Sequence, residues 1–183
     1  PRSERVERAH GDLARLLRSR NVRAVERDAR LAISEGEALV VAQPEICDDY
    51  NYFYDLYRVG PDGGWERVTT CGRFRFAAPL DDGRIAALRV EKGAGEVVIV
   101  GGKGAVERTL YRAAPAESLT GLAARGQTVA LTSLRDGRWS LIEIVDGKAS
   151  VRITDQAIKH SPRYGATGDE IYFVANYDNT YNV

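Results

Sequence analysis

The chain has 183 residues, of which 44% are hydrophobic and 28% charged, a balance typical of a globular domain with a sizeable core. Lys and Arg together number 26, as do Asp and Glu, so the sequence lacks the basic excess with which nucleic-acid-binding proteins displace counterions. No apolar run approaches the roughly 18 residues of a membrane span, and no segment has the pattern of a secretory signal peptide. We therefore expect neither a nucleic-acid partner nor a membrane span.

The first element predicted along the chain is an amphipathic helix over about residues 4–20. The apolar residues that recur on one helical face are Val6, Ala9, Leu13, Leu16 and Leu17. Arginines concentrate in its last turns, where cations complement the helix dipole. We interpret residues 1–21 either as a connector from an upstream domain or as a lid packed on the domain that follows.

From residue 22 onwards, short strands recur at a constant interval. The apolar strand around Val41 is repeated around Ile85, Val129 and Ile171, at intervals of 44, 44 and 42 residues. Three other series of strand-like segments keep the same step, so each unit contains four strands, here called a to d. Asp-Gly pairs supply hairpin turns at Asp62-Gly63, Asp82-Gly83, Asp136-Gly137 and Asp146-Gly147.

Four strands in some 40 residues is the period of a β-propeller blade. A β-sandwich with coincidental spacing is the alternative, but it does not require units of equal length. The sequence therefore predicts an all-β fold, a partial β-propeller of about 3.5 four-stranded blades over residues 22–183, preceded by one N-terminal α-helix.

Three segments resemble the repeats of TolB-type, WD40-like β-propellers. Residues 54–64 (YDLYRVGPDGG) are similar to the family's strand c and its hairpin, and residues 80–87 (LDDGRIAA) to its a-to-b turn. Residues 153–155 (ITD) with residues 161–164 (SPRY) are similar to the crossing from strand d to the next strand a. The resemblance implies a propeller module of a bacterial envelope protein or of a peptidase related to prolyl oligopeptidase. Residues 48–54 and 71–73 are also similar to propellers of larger bacterial peptidase-like proteins, although no HExxH motif is present.

A propeller closes into a ring because each blade buries its faces on its neighbours, and family members typically have six or more blades. Three and a half blades predict a functional unit larger than this chain. We expect a segment of a longer protein, the ordered part of one, or two copies that associate to complete a ring.

The b–c and d–a connections of a propeller emerge on one face, where ligands generally bind. The candidate binding residues on that face are Asp48, Asp49, Tyr50, Asn51, Tyr52, Arg73, Arg138, His160, Asn176, Tyr177 and Asp178. Aromatic and amide groups are typical of binding surfaces, although Tyr, Asn and Asp are also ordinary loop residues. No catalytic or metal-ligand motif stands out, and we expect no cofactor.

Cys47 and Cys71 fit no zinc or redox motif, so the sequence leaves a disulfide and two buried thiols as alternatives. Both map to the same face of the predicted propeller, in a b–c loop and the following d–a loop, which makes a disulfide geometrically reasonable. A disulfide would suit an oxidising compartment, and we expect the periplasm or cell envelope.

Two hypotheses about function follow. The first is a non-catalytic module that binds a protein or peptide, or that gates access to a catalytic domain elsewhere in the same parent chain. The second is a hydrolase, lactonase or glycosidase-like, with a metal-assisted site in the propeller mouth; it predicts converging carboxylates and a tightly bound divalent cation.

Overall fold

The computed structural model describes residues 30–33, 39–49, 51–60, 64–165, 170–177 and 180–182, and within these ranges every regular element is a β-strand. The predicted helix at 4–20 lies outside the described residues. The strands are β1 Arg30–Ile33, β2 Leu39–Ile46, β3 Tyr52–Val59, β4 Trp65–Arg67, β5 Phe74–Pro79, β6 Ile85–Glu91, β7 Ala94–Val100, β8 Val106–Arg112, β9 Ser118–Arg125, β10 Thr128–Arg135, β11 Arg138–Val145, β12 Lys148–Asp155, β13 Lys159–Tyr164, β14 Ile171–Tyr177 and β15 Thr180–Asn182.

These strands form consecutive antiparallel sheets, each an up-and-down meander. Blade 1 contains β1 to β4, blade 2 β5 to β8, blade 3 β9 to β12 and blade 4 β13 to β15, and strand order in each sheet follows the chain. The four predicted strand series are therefore strands a, b, c and d. The prediction of an all-β partial propeller is confirmed.

Strand b of blade 2 is apolar on both sides because that blade is covered on both faces. In blade 2, Ala86 and Leu88 pack in a core shared with blade 3, whereas Ile85 and Ala87 pack in a core shared with blade 1. All four are at most 1% exposed. Alternation along a strand sends successive side chains to opposite faces, so a strand buried between two sheets reads as a continuous hydrophobic run.

The b–c connection of blade 1 is longer than those of blades 2 and 3. Asp136-Gly137 and Asp146-Gly147 have positive φ at both residues, as two-residue hairpin turns require, and Lys92-Gly93 makes an equivalent turn without an Asp-Gly sequence. The b–c connections of blades 2 and 3 are thus two residues long, whereas that of blade 1 spans residues 47–51. Blade 1 therefore carries the longer loop beside the predicted binding face.

Candidate functional site

The loop face is defined here as the end of the blades where the b–c connections and the d–a crossings emerge. On this face the b–c loop of blade 1 (residues 47–51) meets the crossing from blade 1 to blade 2 (residues 68–73). The structure joins Cys47 of the loop to Cys71 of the crossing by a disulfide, with Cα atoms 5.2 Å apart.

Asp55, in strand c of blade 1, is fully buried and holds the crossing in place. Its Oδ1 accepts hydrogen bonds from the Thr69 hydroxyl (3.0 Å) and the Gly72 amide (2.8 Å). Its Oδ2 accepts from the Cys71 amide (3.0 Å) and the Arg67 guanidinium (2.7 Å). A buried carboxylate is stable only when its oxygens are satisfied in this way. Hydrogen bonding to Asp55 in turn raises the pKa of Arg67 above its ordinary value.

The backbone of this crossing is unusual. Cys71 and Arg73 have φ of 57° and 56°, the left-handed region that non-glycine residues rarely adopt. Between them, Gly72 packs so closely that a Cβ would lie 2.1 Å from Cε2 of Phe74. Such a conformation persists where surrounding contacts impose it, and the two amides that donate to Asp55 supply those contacts.

Beside the disulfide, the end of blade 1 exposes apolar and cationic groups. Ile46 and Tyr52 face each other across the last rung of the β2–β3 ladder and are 63% and 69% exposed. The Arg73 guanidinium lies over the Phe53 ring, 4.4 Å from its centroid. These four side chains lie at the same end of blade 1, with Tyr52 and Phe53 on opposite faces of the sheet, and we call them the blade 1 patch. Its members sit on strand ends and on an anchored crossing, so the surface is preorganised.

Asp55 occupies a polar position that recurs in the blades. Like Asp55, Glu96 and Ser140 lie four residues before the strand c residue that makes the first pair with strand b, which is Val59, Val100 and Ile144 in turn. Glu96 is fully buried between two guanidinium groups, with Arg112 at 2.5 Å and Arg89 at 2.9 Å. Only in blade 1, among these three described blades, does the residue at this position bind the amides of the following crossing. The repeated position therefore has a distinct role there.

A second polar cluster lies at the crossing from blade 3 to blade 4. Lys159 is fully buried, its ammonium group bonding Asp155 Oδ1 and the Ala157 carbonyl (3.1 Å) and lying 5.4 Å from the Tyr177 ring centroid. Tyr177 donates its hydroxyl to Asp155 Oδ2 (3.2 Å). Burial raises the pKa of Asp155, but the hydrogen bonds from Lys159 and from the Ala157 amide outweigh it and hold that pKa below its ordinary value. The cluster fixes the entry into blade 4.

Several of the predicted site residues lie either in the b–c loop of blade 1 or beside the blade 3–4 crossing. Asp48 accepts hydrogen bonds from the Asn51 amide (2.9 Å) and side chain (2.8 and 2.7 Å), so both shape the b–c loop. Asn176 accepts from the Ile158 amide (2.6 Å) and belongs to the blade 3–4 crossing. Asp49 is exposed on the loop.

The remaining predicted residues are more dispersed. Arg138 is exposed and begins strand c of blade 3, and His160 lies within strand a of blade 4 rather than in a loop. The ring of His160 hydrogen-bonds the adjacent Ser161 hydroxyl (3.0 Å). Tyr50 and Asp178 lie outside the described residues. The structure thus divides the described site residues into two main places. Asp48, Asp49, Asn51, Tyr52 and Arg73 lie at the blade 1–2 crossing and the loop beside it, and Asn176 and Tyr177 lie in strand β14 beside the blade 3–4 crossing.

Sequence reasoning missed the buried polar residues Asp55, Glu96 and Lys159. Asp55 and Glu96 are charged residues within strands, where a charged side chain ordinarily faces solvent, and Lys159 begins strand β13. A groove of about 250 Å³ beside the blade 1–2 crossing is lined partly by Thr70, Arg73 and Arg89. Within the described ranges, no group of three or more His, Cys, Asp or Glu residues is placed to hold a metal ion.

Comparison with solved structures identifies the same architecture in propellers of two kinds. A protein assigned as TolB from Agrobacterium tumefaciens has a TM-score of 0.63 at 19% identity, over 82% of this chain and 55% of that chain. The β-propeller domain of the trilobed protease from Pyrococcus furiosus has a TM-score of 0.57 at 17% identity, over 81% and 46%. The acylaminoacyl peptidase from Pyrococcus horikoshii has a TM-score of 0.55 at 18% identity, over 82% and 24%.

At these identities the likeness establishes the fold. The resemblance of the repeats to TolB-type propellers is thereby confirmed at the level of architecture. The chain spans between about a quarter and about half the length of these structures. No protein-family model matches the sequence, and no curated protein does. None of the described residues belongs to a helix with the length and apolarity of a membrane span.

Proposed function

We propose that this chain is a non-catalytic propeller module that binds a protein or peptide through the blade 1 patch on its loop face. The observation that carries the proposal is the exposure of Ile46 and Tyr52 on an anchored scaffold. Large apolar side chains held in solvent at the same end of a blade as a stacked arginine are typical of the centre of a protein interface, where aromatic residues and Arg are enriched.

Preorganisation supports the same function. The Asp48–Asn51 hydrogen bonds shape the loop, the disulfide attaches it to the crossing, and Asp55 anchors the crossing. A partner would therefore meet a surface that needs little further ordering, which reduces the entropic cost of association. In a parent protein with a catalytic domain, the same patch would contact that domain and gate access to it.

We also propose a cellular compartment for this protein. TolB and peptidase propellers share the fold, and a cross-linked cysteine pair suits an oxidising compartment, so we place the protein in the periplasm or cell envelope.

We propose that residues 22–183 belong to a ring completed by further blades, from the same parent chain or from a second copy, with residues 1–21 as a helical connector.

A photo-crosslinking experiment tests the patch. A benzoylphenylalanine at Tyr52 is compared with one at Val145, which is 44% exposed at the opposite, c–d end of blade 3. We expect intermolecular products from position 52 and few from position 145. Products confined to the parent chain at position 52 would support the gating form of the proposal. Equal yields from both positions, or none from position 52, would overturn it.

Binding of the purified crosslinked partner is then measured by calorimetry. The double variant Ile46→Ser/Tyr52→Ser should weaken binding by about tenfold or more, the size of loss expected when interface anchors are removed. Val145→Ser is the matched control, because Val145 is 44% exposed at the opposite, c–d end of blade 3. A loss of the same size in the control would show that the effect is not specific to the loop face.

A further inference from the structure

The two ends of the Cys47–Cys71 disulfide are anchored very differently. On the crossing side, backbone amides on both sides of Cys71 are hydrogen-bonded to the propeller. Val68 donates to the Leu56 carbonyl (2.8 Å), Gly72 to Asp55 (2.8 Å), and the Arg73 carbonyl accepts from Val90 (3.2 Å). The crossing thus has non-covalent anchors that do not involve the disulfide.

On the loop side, little surface is buried. Ile46, Asp48, Asp49, Asn51 and Tyr52 are all exposed. Two amides report on the loop conformation: that of Cys47 donates to the Asn51 carbonyl (2.9 Å), and that of Asn51 to Asp48 Oδ1 (2.9 Å). Both bonds join loop residues to one another, so they shape the loop without attaching it to the crossing. The covalent link through Cys71 makes that attachment.

We infer that the disulfide is a redox-sensitive tether of the b–c loop: its reduction releases residues 47–51 while the crossing and the blades keep their structure. A dithiol reductant supplies the two electrons and two protons of the reaction. Its two thiols become one disulfide, the Cys47–Cys71 bond breaks, and both Sγ atoms end as thiols. Because Ile46 and Tyr52 adjoin the loop, reduction also alters the ordered surface beside them.

Residue-resolved amide hydrogen exchange, measured by NMR on the full chain with and without dithiothreitol, tests the tether without any ligand. Opening of a local segment raises exchange only within it. We expect reduction to accelerate the Cys47 and Asn51 amides about tenfold or more, while Val68, Gly72 and Val90 change less than about twofold. Thiol titration before and after reduction counts the free cysteines.

Two variants complete the design. Cys47→Ser/Cys71→Ser should exchange like the reduced protein and ignore the reductant. Asp55→Asn should accelerate the Gly72 amide whether or not the disulfide is intact. Acceleration of loop and crossing amides together, acceleration of neither, or two free thiols in the untreated protein would each overturn the inference. None of these outcomes depends on whether the loop face binds a partner.

Discussion

Replacement of Asp55 by asparagine tests whether the blade 1–2 crossing is held as the structure indicates. The carboxylate accepts four hydrogen bonds, two at each oxygen. An asparagine retains one acceptor oxygen and places an NH₂ group against the donors at the other position. At least one partly buried backbone amide, that of Cys71 or Gly72, then loses its acceptor and faces another donor.

The expected loss of stability follows from these contacts. A buried charged network that loses one partner costs about 3–5 kcal/mol, and a single unsatisfied buried donor about 1–3 kcal/mol. We expect Asp55→Asn to lower the free energy of unfolding by about 3–4 kcal/mol, which corresponds to a melting temperature about 10 °C lower for a chain of this length. Urea denaturation and calorimetry measure the two quantities.

The matched control is Asp146→Asn. Asp146 is exposed in the c–d turn of blade 3 with φ of 52°, a conformation that asparagine tolerates well. The free energy of unfolding of the Asp146→Asn variant should stay within about 0.5 kcal/mol of that of the wild type. If Asp55→Asn lost less than about 1 kcal/mol, the cost assigned to unpaired buried donors would be refuted for this crossing.

Two further predictions concern neighbouring features of the fold. Gly72→Ala should lower the free energy of unfolding, measured in urea, by about 1–3 kcal/mol, because the added Cβ would lie 2.1 Å from the Phe74 ring. Gly102→Ala is the control and should be nearly neutral, since no atom lies within 4 Å of its added Cβ. Equal losses in the two variants would contradict the reasoning. The hydrogen bond from Arg84 lowers the pKa of Asp82 from 3.8 to about 2, so its stabilising contribution is present above about pH 4 and is lost as the pH falls towards 2. Since the Asp82 side chain is 39% exposed, Asp82→Asn should cost only about 1 kcal/mol or less at pH 7, and a difference that persists at pH 2 in urea denaturation would count against the assignment.

The strands and their order could be predicted from the sequence because each rests on a local pattern. Strand b of every blade is a short apolar run, and the turns at Asp136-Gly137 and Asp146-Gly147 carry residues that accept positive φ. The repeat interval then ordered these elements into blades. The turn at Lys92-Gly93 shows the limit of the approach, because its first residue gives no such signal.

The buried polar groups could not be predicted for a physical reason. Asp55 lies between Tyr54 and Leu56, which is the alternation of a half-exposed strand, and its partners lie 12 to 17 residues later. The crossing that supplies those partners also contains left-handed backbone at Cys71 and Arg73, which neither residue type favours. The burial of Lys159 likewise depends on a crossing whose path is set by tertiary contacts.

These departures from the repeat are what locate the candidate site. Blades 2 and 3 share a core formed by their strands b and c. Blade 1 differs from blades 2 and 3 in its longer b–c connection, in its disulfide, and in a strand c carboxylate that binds the following crossing. None of the three is needed to stack one sheet on another, because blades 2 and 3 pack without them. In this chain the three features meet at the exposed end of blade 1, where we propose that a partner binds.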